Sequence, residues 1–157
     1  MNDHPALRHD TDSAEATEAF GVHLGAVLEP GDLIAIDGDL GAGKTCLVRG
    51  IAAGLGIYAG QVRSPTFVLH HIYSGGRLTL HHLDCYRLGE GADLGSFDLD
   101  DLLADGVVAV EWGSYATVGF APRTIRISIV VGNGDMRRFS LDDSAPERIR
   151  LVWSGPS

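Results

Sequence analysis

The chain has 157 residues, a mass of 16.7 kDa and a formal net charge of −9 at pH 7. Its length is typical of one domain, so we expect residues 1–157 to form a single domain in which residues 1–11 are flexible. The apolar fraction of 45% excludes a disordered chain, and the acidic balance argues against unaided binding to nucleic acid or anionic lipid.

The N-terminal segment predicts a cytoplasmic protein without a membrane span. Residues 1–5, Met-Asn-Asp-His-Pro, lack the basic start and the apolar stretch of a signal peptide. No apolar run in the chain approaches the ~20 residues that cross a bilayer. Cys46 and Cys85 have no metal-ligand spacing, and two such thiols fit a reducing compartment.

The first half of the chain predicts two helices with a strand and a glycine-rich turn between them. Asp12 and Glu15 have the spacing of a capping box, so we expect a helix to open at Asp12. The predicted segments are then an apolar helix stripe that ends at Pro30-Gly31, a buried strand at 33–36, a turn at 38–43 and a helix at 45–55.

The second half predicts mainly strands. Residues 74–76, Ser-Gly-Gly, are typical of a hairpin turn, and residues 125–130 alternate as a half-buried strand does. The predicted elements are strands at 67–73, 77–83, 107–110, 125–130 and 136–141, a short helix at 98–104, and a last strand at 148–153. Strands that alternate with helices and also form hairpins indicate an α/β fold with a mixed central sheet covered by helices.

Residues 38–45, Gly-Asp-Leu-Gly-Ala-Gly-Lys-Thr, match the phosphate-binding P-loop pattern G-x-x-x-x-G-K-[ST]. The glycines let main-chain N–H groups turn inward around a β-phosphate, and the helix that follows adds its positive N-terminal end. Lys44 is the only lysine among twelve basic residues. A compact ammonium suits the β- and γ-phosphate oxygens, and the Thr45 hydroxyl suits Mg²⁺.

The predicted ligand of this loop is ATP, which is inferred by exclusion. Ras-type GTPases recognise guanine with an Asn-Lys-x-Asp motif. The only lysine of this chain is Lys44 in the loop, so the chain contains no such motif, and it contains no Asp-x-x-Gly switch either. The loop residues predicted to contact the nucleotide are Asp39, Leu40, Gly41, Ala42, Gly43, Lys44, Thr45 and Cys46.

Two carboxylates are predicted at strand ends, where P-loop enzymes place the groups that face the metal. Glu111 ends the apolar strand 107–110, and we predict a magnesium-side carboxylate there. Asp84 ends another strand and is suited to orient or deprotonate the attacking water, or to hold a metal-bound water. The predicted catalytic residues are therefore Lys44, Asp84 and Glu111.

Three further features leave alternatives open. Trp112 either packs near the nucleotide or is an ordinary core aromatic. Arg87 either contacts phosphate or pairs with an acidic neighbour. The pairs His70-His71 and His81-His82 suggest a transition-metal site, with His70 and His81 nearly opposite. Adjacent strand residues point to opposite faces, however, so neither pair ligates one ion, and we expect no such site.

Four motifs follow one another: the loop at 38–45, Ser-Pro-Thr-Phe at 64–67, His-Leu-Asp-Cys-Tyr-Arg-Leu at 82–88, and Val-Glu-Trp at 110–112. In this order they resemble the bacterial tRNA threonylcarbamoyladenosine biosynthesis ATPase family (TsaE, formerly YjeE), over about residues 16–130. The chain departs from the family at Cys46, where a second Thr is usual, and at Cys85, where a bulkier apolar residue is common.

The resemblance implies a P-loop NTPase-like three-layer fold and an ATPase that works with two partner proteins. That pair transfers threonylcarbamoyl to an adenosine beside the tRNA anticodon. ATP hydrolysis is expected to reset the pair, with low activity in its absence and contact with tRNA only through it.

The same resemblance implies roles for individual residues. Thr45 and Glu111 would hold Mg²⁺, and Asp84 would be a catalytic or switch carboxylate. Residues 64–66 would form a loop in which Thr66 senses the γ-phosphate.

Two rival functions stay open. A small-molecule kinase needs a lid that carries Arg, and the nearest candidate, the glycine-rich stretch 89–95, has none. A nucleotide-gated binding module with negligible turnover is the other, because catalytic parts of P-loop proteins are sometimes supplied in trans.

Overall fold

The computed structural model describes residues 7–39, 41–63, 70–85, 92–93, 98–112, 116–118, 124–142 and 145–154. The elements in chain order are β1 (Leu7–Thr11), α1 (Ala14–Ala26), β2 (Leu33–Asp37), α2 (Lys44–Gly54), a 3₁₀ turn (Ala59–Gln61), β3 (His70–Tyr73), β4 (Thr79–Asp84), β5 (Ala92–Asp93), α3 (Leu99–Asp105), β6 (Gly106–Glu111), β7 (Ala116–Val118), β8 (Ile125–Val131), β9 (Arg137–Leu141) and α4 (Glu147–Trp153).

Seven strands form one mixed sheet in the order β1-β9-β8-β2-β6-β4-β3, and β5 pairs with β7 separately. The pairs β8–β2, β2–β6 and β6–β4 are parallel, whereas β1–β9, β9–β8 and β4–β3 are antiparallel. Ile36 and Asp84 both align with Glu111 in the register. The carboxyl ends of β2, β4 and β6 therefore meet at one edge, where α/β sheets bind their ligands.

Helices cover both faces of the sheet, which gives the predicted three-layer α/β fold. The larger core cluster lies between one face and the helices α1, α2 and α4, and its members include Phe20, Leu24, Leu47, Ile51 and Ile149. The smaller cluster lies on the other face, where Leu99 of α3 packs near Val108 and Val110. Alternate residues of β6 serve the two clusters, because successive side chains of a strand point to opposite faces.

Helices α1 and α2 approach so closely that only glycine fits at their contact. A Cβ built on Gly50 would lie 2.2 Å from the Glu18 carbonyl oxygen, and one on Gly25 would lie 2.3 Å from the Ile51 carbonyl oxygen. Gly21 and Gly54 meet the facing backbone in the same way. This contact holds the start of α1 beside the start of α2, which is where the P-loop ends.

The N-terminal region differs from the sequence prediction in two respects. Residues 7–11, expected to be flexible, form β1, because β9 offers an edge to pair with and His9 stacks on Phe20 with ring centroids 4.1 Å apart. The cap of α1 is Ser13, not Asp12. Ser13 has the extended backbone that a cap needs, and its hydroxyl accepts a hydrogen bond from the Ala16 N–H at 3.0 Å.

The C-terminal segment is the helix α4, and the prediction of a strand at 148–153 was wrong. Ile149 and Trp153, four residues apart, are both buried in the larger cluster. The Trp153 indole donates to the Phe139 carbonyl at 3.3 Å, and Arg148 makes two 2.7 Å hydrogen bonds to Asp32. These contacts require helical spacing, which outweighs the strand preference of the local residues.

The other predicted elements are confirmed within a few residues. They are the first two helices, the hairpins β3–β4 and β8–β9, the short helix α3 and the buried strands β2 and β6. The predicted strand at 67–73 is described only from residue 70 onward. None of the helices described is long and apolar enough to traverse a bilayer.

Candidate functional site

The glycine-rich loop connects β2 to α2 at the carboxyl edge of the sheet. Gly41 and Gly43 have left-handed backbones, with φ of 80° and 104°. A Cβ at either position would meet no atom within 4 Å, so the space around them is open and glycine is required by the backbone conformation. Leu40, predicted to contact the nucleotide, lies outside the described residues.

The N-terminus of α2 faces the same open space. Its cap residue is Gly43, which has no side chain to accept from the first-turn N–H groups, and the first turn contains no acidic residue. These N–H groups, together with the positive end of an eleven-residue helix, make this terminus suited to an anion.

Lys44 is folded into the loop, with 5% of its surface exposed. Its ammonium donates hydrogen bonds to the carbonyl oxygens of Gly38 at 2.6 Å and Asp39 at 2.9 Å. Burial lowers the pKa of Lys44, and nearby carboxylates oppose this shift, led by Glu111 and then by Asp84, Asp39 and Asp37. The only lysine of the chain is thus surrounded by acidic groups at the strand ends.

Glu111 is the centre of a buried polar cluster. The Thr45 hydroxyl donates to its two carboxylate oxygens at 3.2 and 3.1 Å. His82, on the neighbouring strand β4, places Nε2 2.5 Å from Oε2 of the same carboxylate. Asp84 lies beside Glu111 in the register, and both carboxylates are at most 3% exposed. The structure therefore brings Lys44, Thr45, Asp84 and Glu111 to one place.

Trp112 connects this cluster to the lysine. Its φ of 59° is left-handed, which is unfavourable for a bulky side chain, and its N–H donates to the Ile36 carbonyl at 2.8 Å. The centre of its ring lies 4.1 Å from the Lys44 ammonium, and the ring also packs against the smaller core cluster. Trp112 therefore contacts both the Lys44 ammonium and the smaller core cluster.

The donors at this site are oxygen atoms from one hydroxyl and two carboxylates. Within the described ranges, no group of three or more His, Cys, Asp or Glu side chains is arranged to hold a metal ion. A sparse set of oxygen donors fits Mg²⁺, which keeps several waters and binds through one or two protein groups plus substrate phosphates.

A cavity of about 170 Å³ adjoins the loop, and Glu111 is not among the residues that line it. Its walls include Gly41, Ala42, Gly43 and Cys46, all predicted nucleotide contacts. The other walls are formed by Ser13, Ala14 and Thr17 of the α1 region and by Asp135 and Arg137 of the β8–β9 hairpin, none of which was predicted to contact the nucleotide. No local motif marks them, because the α1–α2 contact and the hairpin bring them together from distant parts of the chain.

Arg137 and Cys46 flank the loop from outside. The Arg137 guanidinium donates to the Ala42 carbonyl at 3.1 Å and to the Gly41 carbonyl at 3.4 Å, so it ties the hairpin to the loop. Cys46 Sγ lies 3.4 Å from the Ala14 carbonyl oxygen. Burial raises the pKa of the Cys46 thiol, which keeps it protonated at neutral pH.

Of the histidines in the two pairs, His70 and His81 contact each other, whereas His71 and His82 contact other residues. Register places His71 opposite His82, while His70 lies diagonal to His81 with a 3.0 Å contact between their rings. His71 Nδ1 lies 2.9 Å from the Tyr73 hydroxyl. Arg87 and the segment 64–66, which includes the predicted γ-phosphate sensor Thr66, lie outside the described residues.

Comparison with known proteins assigns the family. The model of the family "Threonylcarbamoyl adenosine biosynthesis protein TsaE" matches residues 11–139. The tRNA threonylcarbamoyladenosine biosynthesis protein TsaE of Treponema pallidum is 41% identical over 122 residues, which cover 76% of this chain and 87% of that protein. The protein of the same name from Bacillus subtilis is 38% identical over 136 residues, which cover 85% of this chain and 84% of that protein.

The fold is similar to that of a solved member from the same organism. The crystal structure of Bacillus subtilis YdiB superposes with a TM-score of 0.71 and 28% sequence identity, covering 97% of this chain and 95% of that one. The similarity agrees with the P-loop NTPase-like arrangement of the seven-stranded sheet and its loop. The chain therefore belongs to the TsaE family of tRNA threonylcarbamoyladenosine biosynthesis proteins.

Proposed function

We propose that this chain is an ATPase whose site is the loop 38–45 together with the strand ends that bear Asp84 and Glu111. The observation that carries the proposal is the hydrogen bond from Thr45 to Glu111, which joins the start of α2 to the end of β6 directly beside the only lysine. A hydroxyl, a carboxylate and an ammonium at an uncapped helix N-terminus form an arrangement suited to a triphosphate with its metal.

The loop binds the phosphates through its main-chain N–H groups. On phosphate binding, Lys44 exchanges its bonds to the Gly38 and Asp39 carbonyls for phosphate oxygens, which compensate its buried charge better than neutral carbonyls do. The low exposure of Lys44 strengthens this attraction, because little water screens it.

Thr45 and Glu111 are the residues that hold Mg²⁺ in this proposal. When bound, the ion neutralises charge on the β- and γ-phosphate oxygens. Because the Thr45 hydroxyl donates its proton to Glu111, its lone pairs stay available on the other side. Asp84, next to Glu111 in the register, orients the attacking water or accepts its proton.

The nucleoside end occupies the 170 Å³ cavity beside the loop. Ser13, Thr17, Asp135 and Arg137 supply hydroxyl, carboxylate and guanidinium groups at its walls. The cavity is lined by the loop residues Gly41 to Gly43, so a nucleotide whose β-phosphate lies in the loop has this space next to it.

In the cell, the chain works on a two-protein complex that transfers threonylcarbamoyl to tRNA, and ATP hydrolysis resets that complex between turnovers. Family membership supports a place in tRNA threonylcarbamoyladenosine biosynthesis. The net charge of −9 supports contact with protein partners and only indirect contact with tRNA.

ATP hydrolysis by the purified chain, measured with and without the two partner proteins, tests this proposal. We expect slow phosphate release without any acceptor and a clear stimulation by the pair. Release that requires a small-molecule acceptor would indicate a kinase. Tight ATP binding with no turnover under any condition would indicate a nucleotide-gated binding module.

A further inference from the structure

His82 is a fully buried histidine that the proposed mechanism does not use. It lies on β4 with no exposed surface, two residues before Asp84 and on the same face of the sheet. Its Nε2 lies 2.5 Å from Glu111 Oε2. An ionised carboxylate carries acceptors only, so the proton of this hydrogen bond belongs to Nε2.

The second ring nitrogen of His82, Nδ1, adds no stabilising hydrogen bond within the described residues, although it is buried. An unsatisfied buried nitrogen is unfavourable. Of the two residues opposite His82 in the register, Ala109 on β6 is apolar, and His71 on β3 places its Nδ1 against the Tyr73 hydroxyl. A histidine at this position is therefore explained by its bond to Glu111.

Two groups hold the Glu111 carboxylate from different directions. His82 donates to Oε2 from within the sheet, whereas the Thr45 hydroxyl approaches from the start of α2 and reaches both oxygens. A glutamate side chain has several rotatable bonds, and a fixed donor on one oxygen removes most of that freedom. The other oxygen then stays directed toward Thr45 and the loop.

We propose that His82 is a positioning residue that orients Glu111 for the magnesium ion. The inference rests on the proposed role of Glu111 and adds to it the group that fixes the carboxylate. Donors behind a ligating carboxylate commonly change metal affinity by about 10- to 100-fold. We expect an effect of this size on the metal and little effect on metal-free nucleotide binding.

Two amide variants of different reach test the inference. In H82Q the amide nitrogen reaches about as far as Nε2, whereas in H82N it stops near the position of Nδ1. The affinity for Mn²⁺ is measured by electron paramagnetic resonance with the protein in excess over a non-hydrolysable ATP analogue. Binding of the analogue in EDTA is measured in parallel. H81N is the matched control, because His81 is the adjacent buried histidine and points to the other face of the sheet.

We expect H82N to weaken Mn²⁺ binding about 10-fold or more, H82Q to stay within about 3-fold of the native protein, and H81N to leave it unchanged. Analogue binding in EDTA should stay within about 2-fold in all three. Native affinity in H82N, or equal losses in H82N and H82Q, would overturn the inference.

Two further measurements keep the inference separate from the function it rests on. If E111Q leaves Mn²⁺ affinity unchanged, the proposed metal site fails. If E111Q lowers it and H82N does not, only the role of His82 fails. Should H82N not fold, the ¹⁵N spectrum of the native protein decides: a proton on Nε2 of His82 supports the inference, and a neutral ring with its proton on Nδ1 overturns it.

Discussion

The parallel half of the sheet (β2, β6 and β4) and its antiparallel half (β8, β9 and β1) differ in how deeply they bury charged residues. In the parallel half, β6 is buried along its whole length, including Glu111 at its end, and β2 is buried along all but its last residue, Asp37. In the antiparallel half, β8 alternates buried and exposed residues, and the next two strands, β9 and β1, carry the exposed ion pair Arg138–Asp10. Buried charge is therefore concentrated where strands are covered on both faces.

This difference indicates what each half does. A charge that is removed from water is costly unless other groups compensate it, and this cost agrees with the proposal that Lys44, Asp84 and Glu111 serve a ligand. The exposed pair of the antiparallel half is well solvated, contributes little and needs no such explanation.

Replacing Lys44 should have the largest effect. We expect Lys44→Ala to weaken ATP binding by at least about 100-fold, because the loop loses the ammonium that the proposal places against the β- and γ-phosphates. Arg138→Ala, which removes a cation from the antiparallel half, is the control and should bind ATP like the native protein. Calorimetric titration with ATP and Mg²⁺ measures both. Native binding by the Lys44 variant would contradict the assignment of the loop.

Variants of the two strand-end carboxylates, Asp84 and Glu111, should distinguish ATP binding from ATP hydrolysis. Asp84→Asn is expected to lower the rate of ATP hydrolysis by about 100-fold while ATP affinity stays within a few-fold, because the residue acts on the attacking water. Glu111→Ala should lose magnesium-dependent hydrolysis and keep its fold. Steady-state kinetics in the presence of the partner pair, with circular dichroism as a folding check, measures these effects. If Asp84→Asn weakens binding more than hydrolysis, Asp84 is a binding residue.

A glycine substitution in the helix contact tests how the parallel half is held. Gly50→Ala puts a methyl group against the Glu18 carbonyl, so we expect the free energy of unfolding to fall by about 1–3 kcal/mol. The matched control is Gly75→Ala, whose Cβ meets nothing within 4 Å and which bears only the cost of its left-handed backbone. Urea unfolding compares the two. An equal or smaller loss in the Gly50 variant would show that the helices do not need this approach.

The smallest effect concerns pH and the buried thiol of Cys85. Burial raises the pKa of Cys85 from 9.0 to about 11, so between these values the unfolded chain releases a proton that the folded chain retains. Stability should therefore fall as pH rises through this window, by at most ~1.4 kcal/mol per pH unit from this group. Cys85→Ala should flatten the dependence. Parallel curves for the two proteins between pH 9 and 11 would refute the contribution.

The residues of the loop and of the strand ends could be predicted because each lies in a contiguous pattern. The loop matches a motif, and Glu111 and Asp84 each end an apolar run, so parallel strands bring them to one edge. The mixed sheet followed from the alternation of helices, strands and hairpins. These features depend on neighbours in sequence, which one sequence displays directly.

The remaining features depend on contacts between distant segments. Residues 148–153 fit a strand by composition, and the joint burial of Ile149 and Trp153 selects a helix. The cavity walls Ser13, Asp135 and Arg137 come from opposite ends of the chain and share no motif. His82 is visible in the sequence as part of a motif and of the pair His81-His82, but its contact with Glu111 depends on the pairing of β4 with β6.

A structure with a non-hydrolysable ATP analogue and Mg²⁺ tests the central claim most directly. The account predicts the β- and γ-phosphates in the loop, within hydrogen-bonding distance of the Lys44 ammonium, and the ion on the Thr45 hydroxyl with Glu111 beside it. An empty loop at saturating analogue, or an ion bound away from both Thr45 and Glu111, would contradict it.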